Sequence, residues 1–331
     1  MGFPMCKRLA LVSLLMLSGL ALALAQGVQA QSRWPERAVR IVVPYAAGGN
    51  TDGIARITAQ ALQESFGQPF VVENRVGGNG SVAAEFTARA EPDGHTLFMA
   101  VQGIFAIVPA MSKVRYDPIA DFTPISIIGS NQFALSVGKA VPVNSFKEWL
   151  DWARAQPAGK LNYSSGSIGS GSHLTMALLL ARAGIKAEHV PYKGGALSLQ
   201  ALVSGQVPMG FNNVSEVIPF GKTGELKLLA VSGARRAHQV PNVPMVAEAG
   251  FPGFDSTTWN GLVGPAKLPR AIVDRIHNEI RRRVTEPAFM QRMDGLGVDV
   301  VGNTPEEFAA IIRSDIPRWA EAVRLSGAKV E

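Results

Sequence analysis

The run Val39-Arg40-Ile41-Val42-Val43-Pro44-Tyr45-Ala46-Ala47-Gly48-Gly49-Asn50-Thr51-Asp52-Gly53-Ile54 passes from a buried β-strand through a glycine-rich loop into a helix. The first five residues are β-branched except for one arginine, which suits a strand covered on both faces. Ile54, Ile57, Ala61 and Leu62 then recur at helical spacing until Gly67 stops the helix. The same order returns downstream. Phe70 to Glu73 and Thr96 to Ala100 read as strands flanking a glycine-rich turn and a helix from Val82 to Ala90. Leu161-Asn162-Tyr163-Ser164 leads through Ser165-Gly166-Ser167-Ile168-Gly169-Ser170-Gly171-Ser172 into an apolar helix from Leu174 to Ala183, closed by Gly184. Alternation of this kind predicts an α/β fold with mainly parallel strands.

Two extended stretches, Ile125 to Val137 with Gly129 inside it and Asp255 to Val263, read as crossings between two lobes. The expected division is lobe 1 over residues 31–130 and 257–331, with lobe 2 over 131–256, and the C-terminal helices Ala271 to Val284 and Pro305 to Leu325 returning to lobe 1. A double crossing makes a hinge. Val43-Pro44-Tyr45-Ala46-Ala47-Gly48-Gly49 is echoed by Val190-Pro191-Tyr192-Lys193-Gly194-Gly195, each between a strand and a helix. Shared turn chemistry accounts for such an echo as readily as duplication does.

Lys7 and Arg8 precede an uncharged stretch from Leu9 to Ala25, and Val28-Gln29-Ala30 has the small-x-small pattern of a cleavage site. Residues 1–30 are therefore expected to be a signal peptide cleaved near Ala30, placing the protein in the periplasm. Cys6, the chain's one cysteine, precedes the apolar block, so the remaining 301 of 331 residues have no disulfide, thiolate ligand or cysteine nucleophile. Removing Lys7 and Arg8 lowers the formal charge from +6 to +4, with basic residues interspersed among acids, and no nucleic-acid partner is implied.

The two glycine-rich loops are the candidate site. In open α/β sheets, ligands sit beyond the carboxyl ends of strands, where the first N–H groups of a helix lack intrahelical partners and attract anions. Gly48 and Gly49 remove side-chain bulk, Thr51 adds a hydroxyl, and Ser164, Ser165, Ser167, Ser170 and Ser172 make the second loop dense in donors. One loop from each lobe facing the other suits a carboxylate. Tyr45, Ala47, Asn50 and Gln102 join the candidate set, as does His173, read as donating to a loop carbonyl or to ligand. Asp52 in the first turn competes with an anion for the helix dipole and is expected to face away as a cap.

Enzyme signatures are missing. Neither G-x-G-x-x-G, G-x-x-x-x-G-K-[ST] nor G-x-S-x-G occurs, and the five histidines lack metal-ligand spacing. No cofactor or metal is expected. The enzyme alternative is a secreted hydrolase using Ser170 or Ser172 with His173, for which no orienting acid is visible. Glu306 and Glu307 read as the acidic first turn of a helix, and Trp149 and Trp152 as core.

Several segments together carry a family resemblance: Trp34-Pro35, Val43-Pro44-Tyr45-Ala46-Ala47-Gly48-Gly49 with Thr51-Asp52, Val72-Glu73-Asn74-Arg75, Pro92-Asp93-Gly94, Tyr116-Asp117-Pro118, Leu161-Asn162-Tyr163, Ser172-His173-Leu174, Val190-Pro191-Tyr192-Lys193-Gly194-Gly195, Gly205-Gln206-Val207, Pro241-Asn242-Val243-Pro244 and Gly302-Asn303-Thr304-Pro305-Glu306-Glu307-Phe308. In order and spacing the chain resembles the Bug receptors, the extracytoplasmic solute receptors of the tripartite tricarboxylate transporter family. The resemblance implies a two-lobed, type II periplasmic binding protein of the Venus-flytrap kind, with a ligand carboxylate held by backbone groups and bridging waters of the two loops. It implies a small ligand among dicarboxylates, aromatic acids, amino acids or nicotinate-type solutes, delivered by a monomer to small and large membrane permease subunits. A periplasmic sensor serving a signalling protein would share the same binding chemistry. Two departures stand out. Asn50 replaces the family's usual proline, and Asn212 stands where an aspartate is common. Loss of that anion favours a simple carboxylic acid over an amino acid. Trp259 and Asn260, at the second crossing, are candidates to line the cleft, the indole either stacking on ligand or anchoring the hinge.

Overall fold

In a computed structural model, residues 34–192 and 194–327 of the chain are described. The expected signal segment 1–30, with Cys6, and Lys193 lie outside them. The elements in chain order are β1 (Val39–Val43), α1 (Asn50–Phe66), β2 (Phe70–Asn74), α2 (Ser81–Ala88), β3 (Thr96–Val101), α3 (Val108–Met111), β4 (Phe122–Gly138), α4 (Phe146–Ala155), β5 (Asn162–Ser165), α5 (Gly171–Ala183), β6 (Glu188–Pro191), α6 (Gly195–Val203), β7 (Met209–Asn213), α7 (Val214–Thr223), β8 (Leu226–Val231), β9 (Thr257–Pro265), α8 (Arg270–Arg283), α9 (Pro287–Asp294), β10 (Asp299–Val300) and α10 (Pro305–Ser326). No described helix is long and apolar enough to cross a membrane.

The strand order β2-β1-β3-β9-β4-β7-β5-β6 runs through two lobes, with β8 and β10 also pairing to β4. β4 makes the join. Its first part, Phe122 to Gln132, pairs antiparallel with β9, and its second, Phe133 to Gly138, pairs with β7 and β8. Parallel pairing holds within each lobe, β1 with β2 and β3, β5 with β6 and β7. The expectation of mainly parallel strands is corrected at the hinge, because β4 and β9 travel between lobes in opposite directions.

Each lobe has its own core. Ile41, Val43, Leu97 and Met99 pack with Ile54 and Leu62 of α1 and Ile272 and Ile276 of α8. In the other lobe Leu135 and Val137 of β4 pack with Trp149, Tyr163, Met176, Met209 and Phe211. Each such side chain contributes ~1.5–3 kcal/mol on burial, which replaces the disulfides this chain lacks. Helix ends follow their sequence signals. Gly67 and Gly184 take left-handed conformations at the C-termini of α1 and α5, with φ of 70° and 67°. Thr304 and Glu307 form a reciprocal capping box at the start of α10. That helix does not keep to lobe 1 as expected. Its Trp319, Ala322 and Val323 pack against Ala106 and Ile107 and also against Leu174 of α5, so the last helix clasps both lobes.

Candidate ligand-binding site

A cavity of about 190 Å³ opens where the lobes meet. Lobe 1 supplies Tyr45, Asn79, Gln102 and Met111, the hinge strands supply Phe133 and Thr258, and lobe 2 supplies the loop Ser167 to Gly171. Tyr45 comes from the turn after β1, Gln102 from the end of β3, and the lobe-2 loop from the passage between β5 and α5. These are three carboxyl ends of strands, as an α/β sheet dictates.

The lobe-2 loop is held from behind by two histidines. The rings of His173 and His189 stack at 3.7 Å with planes 7° apart. Gly169 N–H donates to His173 Nδ1 at 3.0 Å, so His173 accepts from the loop at this nitrogen and carries its proton on Nε2. Burial and the neighbouring His189 push His173 down to about 3, and burial pushes His189 down to about 4. Both are neutral at pH 7. His189 Nε2 lies 2.6 Å from Ser165 Oγ, which donates to Ser167 O at 2.9 Å. Ser165 is fully buried, so this serine and histidine brace the loop from behind. Ser170 Oγ caps α5 by accepting from His173 N–H at 3.3 Å and lies 3.1 Å from Ser172 Oγ.

The lobe-1 loop divides. Tyr45 faces the cavity, whereas Ala47, Gly48, Gly49 and Asn50 line a neighbouring, wider concavity with Ser215, Glu216 and Leu296. Burial pushes the Glu216 carboxyl up against the donors of Asn213. The expectation that the two glycine-rich loops face one another is thus met by Tyr45 opposite Ser167 to Gly171, and not by the glycines. Asn50 Nδ2 donates to Leu296 O at 2.9 Å, and Thr51 Oγ1 to Asn260 Oδ1 at 2.8 Å. Both candidates are therefore committed to holding the loop. Asp52 is buried inside it: Oδ2 accepts from Gly48 N–H and Arg56 Nε, and Oδ1 from Asn74 Nδ2. Burial raises its proton affinity, but Arg56 and those donors outweigh it and hold the carboxyl below its ordinary value.

Ser164, Ser165, His173 and Asn212 are buried beneath the lobe-2 loop instead of lining the cavity, and Asn212 Oδ1 has no hydrogen-bond partner there. Trp259 also leaves the set. Its indole donates to Asp315 Oδ2 at 2.8 Å and meets Phe105 and Phe308 edge-on, anchoring β9 in the lobe-1 core. Among the cavity residues unforeseen from sequence are Asn79, Val101, Val108, Met111, Phe133, Ile168 and Thr258. An apolar residue facing a cavity obeys the same spacing as one facing a core, so no sequence signal marked Met111, Phe133 or Ile168.

Over residues 54–327 the chain matches the family described as tripartite tricarboxylate transporter family receptor. BugT of Bordetella pertussis is 30% identical over 300 residues, spanning 90% of this chain and 92% of its own. A solved R. palustris protein with adipate is 33% identical with a TM-score of 0.79, covering 90% of this chain and 100% of that one. MatC from Rhodopseudomonas palustris with bound malate is 32% identical with a TM-score of 0.75, covering 88% of this chain and 100% of that one. The two-lobed α/β fold and the whole-length match make the chain a member of the tripartite tricarboxylate transporter receptor family, whose members are solute-binding receptors.

Proposed function

We propose that this protein is a periplasmic receptor that captures a small carboxylate between its lobes and hands it to the membrane subunits of a tripartite tricarboxylate transporter, without chemical turnover. The observation that carries the reading is the interlobe cavity, walled by Tyr45 and Gln102 on one side and Ser167 to Gly171 on the other. The loop leads into α5, whose first N–H groups have no partners within the helix, so backbone donors and serine hydroxyls can take a carboxylate without a charged side chain. The adipate and malate bound by related proteins support the ligand class. The division into residues 31–130 with 257–331 and residues 131–256 is supported by the change of partner along β4 at Gln132 and Phe133 and by the start of β9 at Thr257. Export with cleavage after Ala30 is supported by the Val28-Gln29-Ala30 signature.

The test is a thermal-shift screen of protein purified from periplasm, against mono- and dicarboxylic acids, amino acids and neutral sugars, with the mass of the processed chain measured alongside. A saturable shift confined to carboxylates is expected, since a ligand at a hundred times its dissociation constant adds about 2.7 kcal/mol to native stability. A shift with sugars alone, or with no solute, would sink the reading.

A further inference from the structure

Around the polar loop of the cavity stand three large apolar side chains. A Cβ on Gly169 would fall 2.2 Å from Met111 Sδ, and one on Gly171 would fall 2.8 Å from Phe133 Cζ. Both separations are shorter than atoms allow, so glycine at these two places lets Met111 and Phe133 descend onto the loop backbone. Ile168 immediately precedes Gly169, lines the same cavity and is 46% exposed. A carboxylate held by the loop and the start of α5 therefore has a ring, a thioether and a branched alkyl group close to its remaining atoms, with Tyr45, Asn79, Gln102 and Thr258 on the rest of the wall.

We propose that the ligand carries a single carboxylate on an apolar body, an aromatic or branched-chain monocarboxylic acid, and that Met111, Phe133 and Ile168 select that body. The inference rests on the reading that this cavity holds a carboxylate, and it adds the class of the rest of the molecule. None of the described residues lining the cavity is an Asp, Glu, Lys, Arg or His, and the two histidines behind the loop stay neutral. A second carboxylate pressed against Met111, Phe133 and Ile168 would give up its water to three side chains that offer it no hydrogen-bond donor. An aromatic ring meets favourable contacts there instead, at the Phe133 edge and the polarisable Met111 sulfur. A volume of about 190 Å³ accommodates one ring or a short branched chain.

Calorimetric titration of the periplasmic protein, stripped of co-purified ligand by unfolding and refolding, tests this with benzoate, 4-methylpentanoate, adipate, malate and benzamide. Benzoate or 4-methylpentanoate is expected to bind at least about tenfold tighter than adipate and malate, and benzamide at least about tenfold weaker than benzoate. Adipate or malate binding as tightly as the apolar acids would overturn the inference and leave the receptor reading standing. Silence from every acid would instead remove the receptor reading beneath it. Ile168→Lys, a change at a half-exposed position that the fold tolerates, offers a cation to a second carboxylate. It is expected to shift the preference toward adipate by about tenfold or more, and an unchanged ratio would remove Ile168 from the selecting wall.

Discussion

Lowering the pH from 7 to 5 puts the stacked pair His173 and His189 under a defined load. Buried behind the lobe-2 loop, the two are held at about 3 and about 4, whereas an unfolded chain gives histidine about 6.5. The native state therefore refuses protons that the unfolded state accepts. Stability is complete above about pH 6.5 and falls as pH drops through that value toward the native ones. At pH 5 a fully sequestered histidine of this kind has lost about 2 kcal/mol relative to pH 7; with His189 only partly covered, the pair together loses about 3 kcal/mol. Carboxylates held low by partners, such as Asp52 and Glu279, act in a lower window, below about pH 4.5, and the buried carboxyls pushed up, Glu216, Asp255 and Asp315, are the same in wild type and variant and cancel between them. Urea unfolding at pH 7 and pH 5 of the wild type and of His173→Asn/His189→Gln, whose amides take up no proton, reads the difference. His277, also pushed down by burial, is common to both proteins and cancels. A double variant that loses as much stability as the wild type over this range would refute the reasoning. Because Ser165 Oγ and Gly169 N–H rest on these two rings, ligand affinity is expected to weaken over the same interval.

Two further outcomes follow from single contacts. Gly171→Ala drives a methyl into Phe133 and is expected to destabilise the protein by about 1–3 kcal/mol while weakening ligand binding. Phe133→Leu added to it should restore part of both, and strict additivity of the two changes in a double-mutant cycle would contradict the close approach. Trp259→Phe removes the indole donor to Asp315, a buried carboxyl pushed up by burial against the pull of Arg318, and is expected to cost about 1–3 kcal/mol. An unchanged urea midpoint would show that this hydrogen bond does not hold β9.

Much of the architecture is legible in the sequence because its signals are local. The strand from Val39 to Val43, the glycines that end α1 and α5, the Thr304 and Glu307 capping box and the long extended stretch through Gly129 all come from residues a few positions apart. Of the cavity wall, Tyr45, Gln102, Ser167 and Ser170 are legible in the sequence, each at or just beyond the carboxyl end of a strand. Asn50 and Thr51 look free in sequence, yet their partners Leu296 and Asn260 lie 246 and 209 positions away. His173 and His189 are likewise brought into contact only by parallel pairing of β5 with β6, which sets Tyr163 opposite His189. The apolar wall of Met111 and Phe133 was hidden for the converse reason, since each carries the pattern of a core residue.

The central claim is that a carboxylate sits between Tyr45 and Gln102 of one lobe and Ser167 to Gly171 of the other. The measurement that addresses it most directly is a crystal structure of the periplasmic protein with the acid that stabilises it most. The account predicts the carboxylate within hydrogen-bond reach of the Ser167 to Gly171 loop, with the rest of the ligand against Met111 and Phe133. A ligand seated instead in the wider concavity of Gly48, Gly49, Ser215 and Glu216 would contradict it.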